Sequence, residues 1–183
     1  MSGQRIPQRT RIYLGCEGES EQSYGKCLNA IADSLGLPLF LDCDVLGGGD
    51  PLSLLELAFR RIHERALKRG AYLHRAIILD ADRTGVAPVR DARVASLAQK
   101  HGIQLIWQRP CHEGFLLRHF AQREPATATL AMDALLRFWP EFRKNMPAIE
   151  LAARIDREAI RRAAAVEADF QIFLNLIGLM DLL

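Results

Sequence analysis

Between residues 10 and 107, four short apolar runs alternate with three stretches of helical periodicity. That alternation restricts the chain to few architectures. The apolar runs cover residues 11–15, 39–46, 75–79 and 103–107. The run at 75–79 is continuous, as a strand buried on both faces should be. Helical spacing covers residues 20–35, where Leu28, Ile31, Ala32 and Leu35 share a face, and Gly36 and Pro38 supply the stop. Ser20 is the expected cap. A second helix starts at Asp50-Pro51 and ends at Gly70, with Leu54, Leu55, Ala58 and Ile62 inward and Arg60, Arg61, Arg65 and Lys68 largely outward. A third runs from Pro88 to Lys100-His101 before Gly102. Strand and helix in strict succession predict right-handed crossovers and a mainly parallel sheet with helices on both faces.

Acidic residues gather where the runs end. Glu17, Glu19 and Glu21 lie within five positions after the first run, and Asp80 and Asp82 close the third. Like charges this close repel unless a cation sits among them. In an open parallel sheet the ligand site lies at the carboxyl ends of the strands. Glu17, Asp80, Asp82 and Glu113, which follows the fourth run, are therefore delivered to one edge. Oxygen donors of this kind suit Mg2+ or Mn2+. Each acid also has a structural role open to it: Glu17 as a cap, Asp80 and Asp82 as residues of a hydrogen-bonded turn, Glu21 as a solvated acid, and Glu113 as a helix N-terminal acid. Glu19 reads as solvated. His112 and His119 read as packing or capping residues. Gly47-Gly48-Gly49 lacks the G-K-[ST] ending of a P-loop and reads as a tight strand-to-helix turn. Arg83, Arg109, Arg143 and Lys144 are candidates to pair with phosphate.

The chain has 183 residues, 49% hydrophobic and 25% charged, with a net charge of +2. That is enough for one core and gives no reason to invoke disorder or to demand a nucleic-acid partner. The four cysteines form no C-x-x-C pair and read as buried free thiols. With no secretory leader and no apolar stretch of bilayer length, the expectation is a cytoplasmic protein without a membrane partner.

The pattern Cys16-Glu17-Gly18-Glu19-Ser20-Glu21, with Asp80-Ala81-Asp82 after a later strand, resembles the Toprim domain of topoisomerases, primases and overcoming-lysogenization-defect nucleases. A closer resemblance is to the RloB-like family, a Toprim-related group associated with phage-defence and restriction loci. It is carried by that opening motif through Tyr24, by Gly47-Gly48-Gly49-Asp50-Pro51, and by Arg109-Pro110-Cys111-His112-Glu113 with Leu116, Leu117, His119 and Phe120. Trp139-Pro140-Glu141-Phe142-Arg143-Lys144 adds a fourth element, so the resemblance covers residues 10–145. His112 departs from it, since relatives often carry an aromatic residue there.

The resemblance implies a Toprim-like α/β domain over residues 10–121, after a flexible segment 1–9. Helical spacing in the remainder, which the resemblance covers only to residue 145, predicts a helical extension, 122–183, packed on the same domain. The resemblance also implies a divalent-metal-dependent nuclease or phosphodiesterase of bacterial phage defence and abortive infection. Glu17, Asp80 and Asp82 would be catalytic, Glu17, Glu21, Asp80, Asp82 and Glu113 would hold Mg2+ or Mn2+, and Arg83, Arg109 and Lys144 would bind phosphate. Nucleic acid or nucleotide phosphate is then the expected partner, with other defence-system proteins beside it. The alternatives are a non-catalytic metal- and nucleotide- or nucleic-acid-binding sensor, and an interaction protein with vestigial acids. Residues 127–139 and 148–169 read as helices, the arginines of 154–162 as a solvated face, and 170–177 as a segment folded on its own core, with a homodimer interface as the alternative.

Overall fold

The computed structural model describes residues 9–82, 84–121 and 124–183. Four strands form one parallel sheet: β1 (Thr10–Cys16), β2 (Leu39–Val45), β3 (His74–Asp80) and β4 (Gln104–Gln108), in the order β2-β1-β3-β4. Between them run α1 (Glu19–Ser34), α2 (Pro51–Arg69) and α3 (Pro88–His101). The succession of elements is the one expected from the sequence, and the α/β class follows.

Strand alternation divides the core in two. Ile12, Leu14, Cys16, Ala76, Ile78 and Ile106 face α1 and the C-terminal helices. Tyr13, Ile77 and Leu79 face α2 and α3. α1 on one face and α2 and α3 on the other is what right-handed crossovers give for this strand order. α1 lies close on the sheet because residue 25 is glycine. A Cβ there would meet Cys43 Sγ at 2.7 Å and Leu14 Cδ2 at 2.9 Å.

After β4 come α4 (His112–Leu117), α5 (Ala128–Phe138), α6 (Ala148–Ala152), α7 (Arg157–Ala164), α8 (Ala168–Leu176) and a 3-10 turn, Met180–Leu182. The single helix expected over 148–169 is thus three short ones. Asp156 explains the first break: its carboxylate accepts the Ala159 N–H at 2.8 Å and restarts the chain as an N-cap, while Ile155 turns into the core. Phe170, Phe173 and Leu174 are buried, so residues 170–177 fold on their own core. The arginines of 154–162 are not simply solvated. Arg154 donates to Phe138 O, Arg157 to Leu182 O, and Arg162 to His119 O.

Two further expectations are corrected. Gly18, not Ser20, caps α1, and Ser20 Oγ instead donates to Asn145 Oδ1 at 3.0 Å and accepts the Asn145 N–H at 3.1 Å. Arg61 and Arg65 do not point outward. They cross to Asp42 and Asp44 on β2, where Arg65 reaches Asp42 Oδ1 at 2.8 Å and Asp44 Oδ1 at 2.6 Å, and Arg61 reaches Asp44 Oδ1 at 2.9 Å. Arg11, Tyr13 and Tyr72 complete this layer. All four cysteines are free, and Cys16, Cys27 and Cys111 are buried. Among the described residues no helix is long and apolar enough to cross a membrane.

Candidate functional site

The strand order reverses between β1 and β3, and in such sheets the crevice at that switch point receives ligands. β1 delivers Glu17 there and β3 delivers Asp80. The two meet: Glu17 Oε2 accepts the Asp80 backbone N–H at 3.0 Å. The glycine turn after β2 fixes the Glu17 loop from the other side, because the Gly47 and Gly48 N–H groups both donate to Glu17 O. All three glycines have positive φ, which a side-chain-bearing residue adopts only under strain. Their role is the tight turn.

Glu21, buried in the first turn of α1, folds back so that its Oε2 accepts the Gly18 N–H at 2.8 Å. Its Oε1 lies 3.6 Å from His112 Nδ1. Glu113, buried in the first turn of α4, takes a hydrogen bond from the Cys111 thiol at 3.1 Å and faces Lys144 Nζ at 3.4 Å. Asp82 is exposed in the turn after β3.

The electrostatics converge on Asp80. Burial, and then the charges of Glu21, Glu17, Asp82 and Glu113, push its pKa up to about 8. Its Oδ1 is buried and without a hydrogen-bond partner among the described residues. An acid that holds its proton through neutral pH, with an unsatisfied oxygen among four other carboxylates, is in an environment that a cation would relieve. Burial also works to raise Glu113, but the Cys111 thiol, its own backbone N–H, Lys144 and His112 outweigh it and hold Glu113 below the usual range. His112 is lowered by burial, although Glu21 and Glu113 oppose the shift. His119 is driven down to about 3 by burial and accepts or donates at 2.8 Å with the Tyr24 hydroxyl deep in the core, a packing role as expected.

Among the described residues, no three His, Cys, Asp or Glu side chains have donor atoms already gathered around one point. The coupling to Asp80 and this lack of closure are compatible, since charges act over distances well beyond a metal–ligand bond. Glu17 and Glu21 each place one oxygen on a backbone N–H. The donor chemistry fits Mg2+ or Mn2+, and the orphaned Asp80 oxygen is the specific atom such an ion would satisfy.

Of the expected phosphate contacts, Arg83 lies outside the described residues. Arg109 turns toward the tail, with Nη1 3.7 Å from Glu167 and Nη2 3.6 Å from Asp169. Lys144 stands at the acidic edge on an exposed side chain. Gln108 was not anticipated. It pairs in register with Asp80, its carbonyl accepts the Ala81 N–H, and its fully buried amide meets His112 Nδ1. Its signal in the sequence is the one that marks Asp80: a polar residue closing an apolar strand. Comparison of the chain with protein-family models, with curated proteins and with solved structures found no match.

Proposed function

We propose that this edge binds Mg2+ or Mn2+ and hydrolyses phosphodiester bonds in nucleic acid, as a Toprim-type nuclease serving bacterial phage defence from the cytoplasm. The observation that carries the reading is Asp80. It sits at the switch point of the sheet with a buried, unpartnered oxygen, and four other carboxylates act on it. Asp80, Glu17, Glu21, Asp82 and Glu113 would hold the ion. When bound, such an ion lowers the pKa of coordinated water and polarises a phosphoryl oxygen. Glu17, held in place by the Asp80 N–H and the glycine turn, would accept the proton of the attacking water as general base. Lys144, on its exposed stem, exchanges Glu113 for a phosphate oxygen and offsets its charge. Arg109 reaches the substrate only by leaving Glu167 and Asp169, so it contributes less.

The second reading is a sensor that binds metal and nucleotide or nucleic acid without turnover, passing its signal to another defence protein. The engagement of Glu17 and Glu21 with backbone N–H groups favours it. Ile172 and Leu176, exposed one turn apart on α8, are where the tail would pair with a second copy.

Calorimetric titration of Mn2+ and Mg2+ into wild type and the Asp80→Ala, Asp82→Ala double variant separates these readings. Each sample is then incubated with DNA and RNA. Metal binding and cleavage lost together support the nuclease. Wild-type binding without cleavage selects the sensor. Cleavage retained in the double variant, with metal still bound, refutes the assignment of the site.

A further inference from the structure

Beside the acidic edge lies a cavity of about 320 Å3, lined by Glu113, Ala128, Thr129, Met132, Asp133 and Lys144. Glu113 lines the cavity, and its chain neighbour His112 lies with Nδ1 3.6 Å from Glu21 Oε1. The cavity therefore opens beside the carboxylate cluster. We propose that this cavity receives one unpaired nucleotide of a nucleic-acid strand whose adjoining phosphate lies against the carboxylates. The proposal rests on the reading of that edge as a phosphodiester site and specifies its substrate class.

Size gives the first argument. The volume lies near the lower end of ligand pockets, about 300–1,000 Å3, which admits one nucleoside unit and excludes a base pair. The lining gives the second. Ala128 and Met132 present apolar surface to the face of a base. Thr129 and Asp133 present oxygen acceptors, which suit the amino groups on adenine, cytosine and guanine. Lys144 supplies the cationic group of the lining, and its partner there is an acid rather than a second base. A duplex could use this cavity only by extruding a nucleotide, at a cost of a few kcal/mol. Strand ends, loops and single strands avoid that cost. The size of the cavity and its position against the acidic edge together select against intact duplex.

The test uses the full chain and short fluorescein-labelled DNA and RNA, single-stranded and as blunt duplexes, read by fluorescence anisotropy in Ca2+ and in EDTA. Free nucleoside monophosphates are titrated by calorimetry. The expected result is single-strand binding about tenfold or more tighter than duplex binding. Thr129→Trp, at an exposed position of α5, should fill the cavity and abolish that preference. Leu130→Ala, exposed on the same helix but outside the cavity lining, should keep it. Equal affinity for single strand and duplex overturns the proposal. So does an undiminished preference in Thr129→Trp. Monophosphates bound as tightly as strands would make the occupant a free nucleotide and overturn the strand assignment. Mn2+ titration of the same samples reads the carboxylates separately. Strand preference that responds to Thr129→Trp, in a protein giving no Mn2+ heat, supports the cavity while refuting the metal site.

Discussion

Replacing Asp80 with asparagine removes a carboxyl whose ionisation is opposed by burial and by four neighbouring acids, and should stabilise the metal-free protein. In the unfolded chain this carboxyl titrates near 3.8, and in the folded protein burial and its neighbours move it to about 8. Between those values the folded state holds a proton that the unfolded chain has released. Wild-type stability therefore falls as pH rises from about 4 to about 8 and levels off above that. At about 1.4 kcal/mol per tenfold, the full displacement corresponds to ~4 kcal/mol at pH 7. Five acids share the strain and one of them, Asp82, is exposed, so roughly half, about 2 kcal/mol, is the working figure. For a chain of this length that raises Tm by about 4–8 °C. The asparagine side chain keeps the shape of the acid and stays neutral. In EDTA at pH 7, Asp80→Asn should melt above wild type by that margin, and at pH 4 the two should nearly coincide. In Mn2+ the wild type alone should gain. Thermal unfolding by circular dichroism reads all three conditions. A variant less stable than wild type at both pH values, or a gap independent of pH, refutes the argument that Asp80 is held protonated by burial and crowding.

Three other perturbations test the frame around the site. Asp44→Ala removes the acceptor shared by Arg61, Arg65 and Tyr13, and since both arginines can still turn toward water it should cost about 2–3 kcal/mol in urea unfolding. Gly25→Ala forces a methyl group against Cys43 and Leu14 between α1 and the sheet and should cost about 1–3 kcal/mol in the same assay. Glu167→Gln takes the charge from the buried partner of Arg118, and limited proteolysis should then cut residues 165–183 faster than in wild type, with a loss of about 2–4 kcal/mol.

What could be read from the sequence follows from what periodicity can express. The place of Asp80 at the sheet edge was legible because, with Asp82, it closes a continuous apolar run. Glu17 was legible for the same reason at the end of β1. Arg61 and Arg65 were not. The apolar stripe of α2 defines which residues face the core, but long basic side chains beside it can still reach over the sheet edge. Asp42 and Asp44 carried a signal: they alternate with Leu41, Cys43 and Val45 and so share one face of β2, but their partners across space were what the chain order concealed. The break at residues 153–156 shows the reverse. A helical stripe of Ala152, Ile155, Ala159 and Ala163 persists through it, because Asp156 ends one helix and caps the next without disturbing the spacing of apolar residues. The turn of Arg109 toward Glu167 and Asp169 depends on where the tail returns, which no local pattern records.

The placement of α1 has a consequence for how the polypeptide is made. Its buried residues Tyr24, Leu28 and Ile31 belong to one core with Phe170, Phe173, Leu174 and Leu179. Tyr24 and Phe170 stand with ring centroids 6.1 Å apart. At about 5–20 residues per second, the ribosome needs roughly 7–30 s to supply the second set after the first has emerged. For that interval the sheet can pair while the outer side of α1 has no cover. The nascent chain is then a surface for chaperones, and slowing translation before residue 170 should lengthen the exposure rather than assist folding.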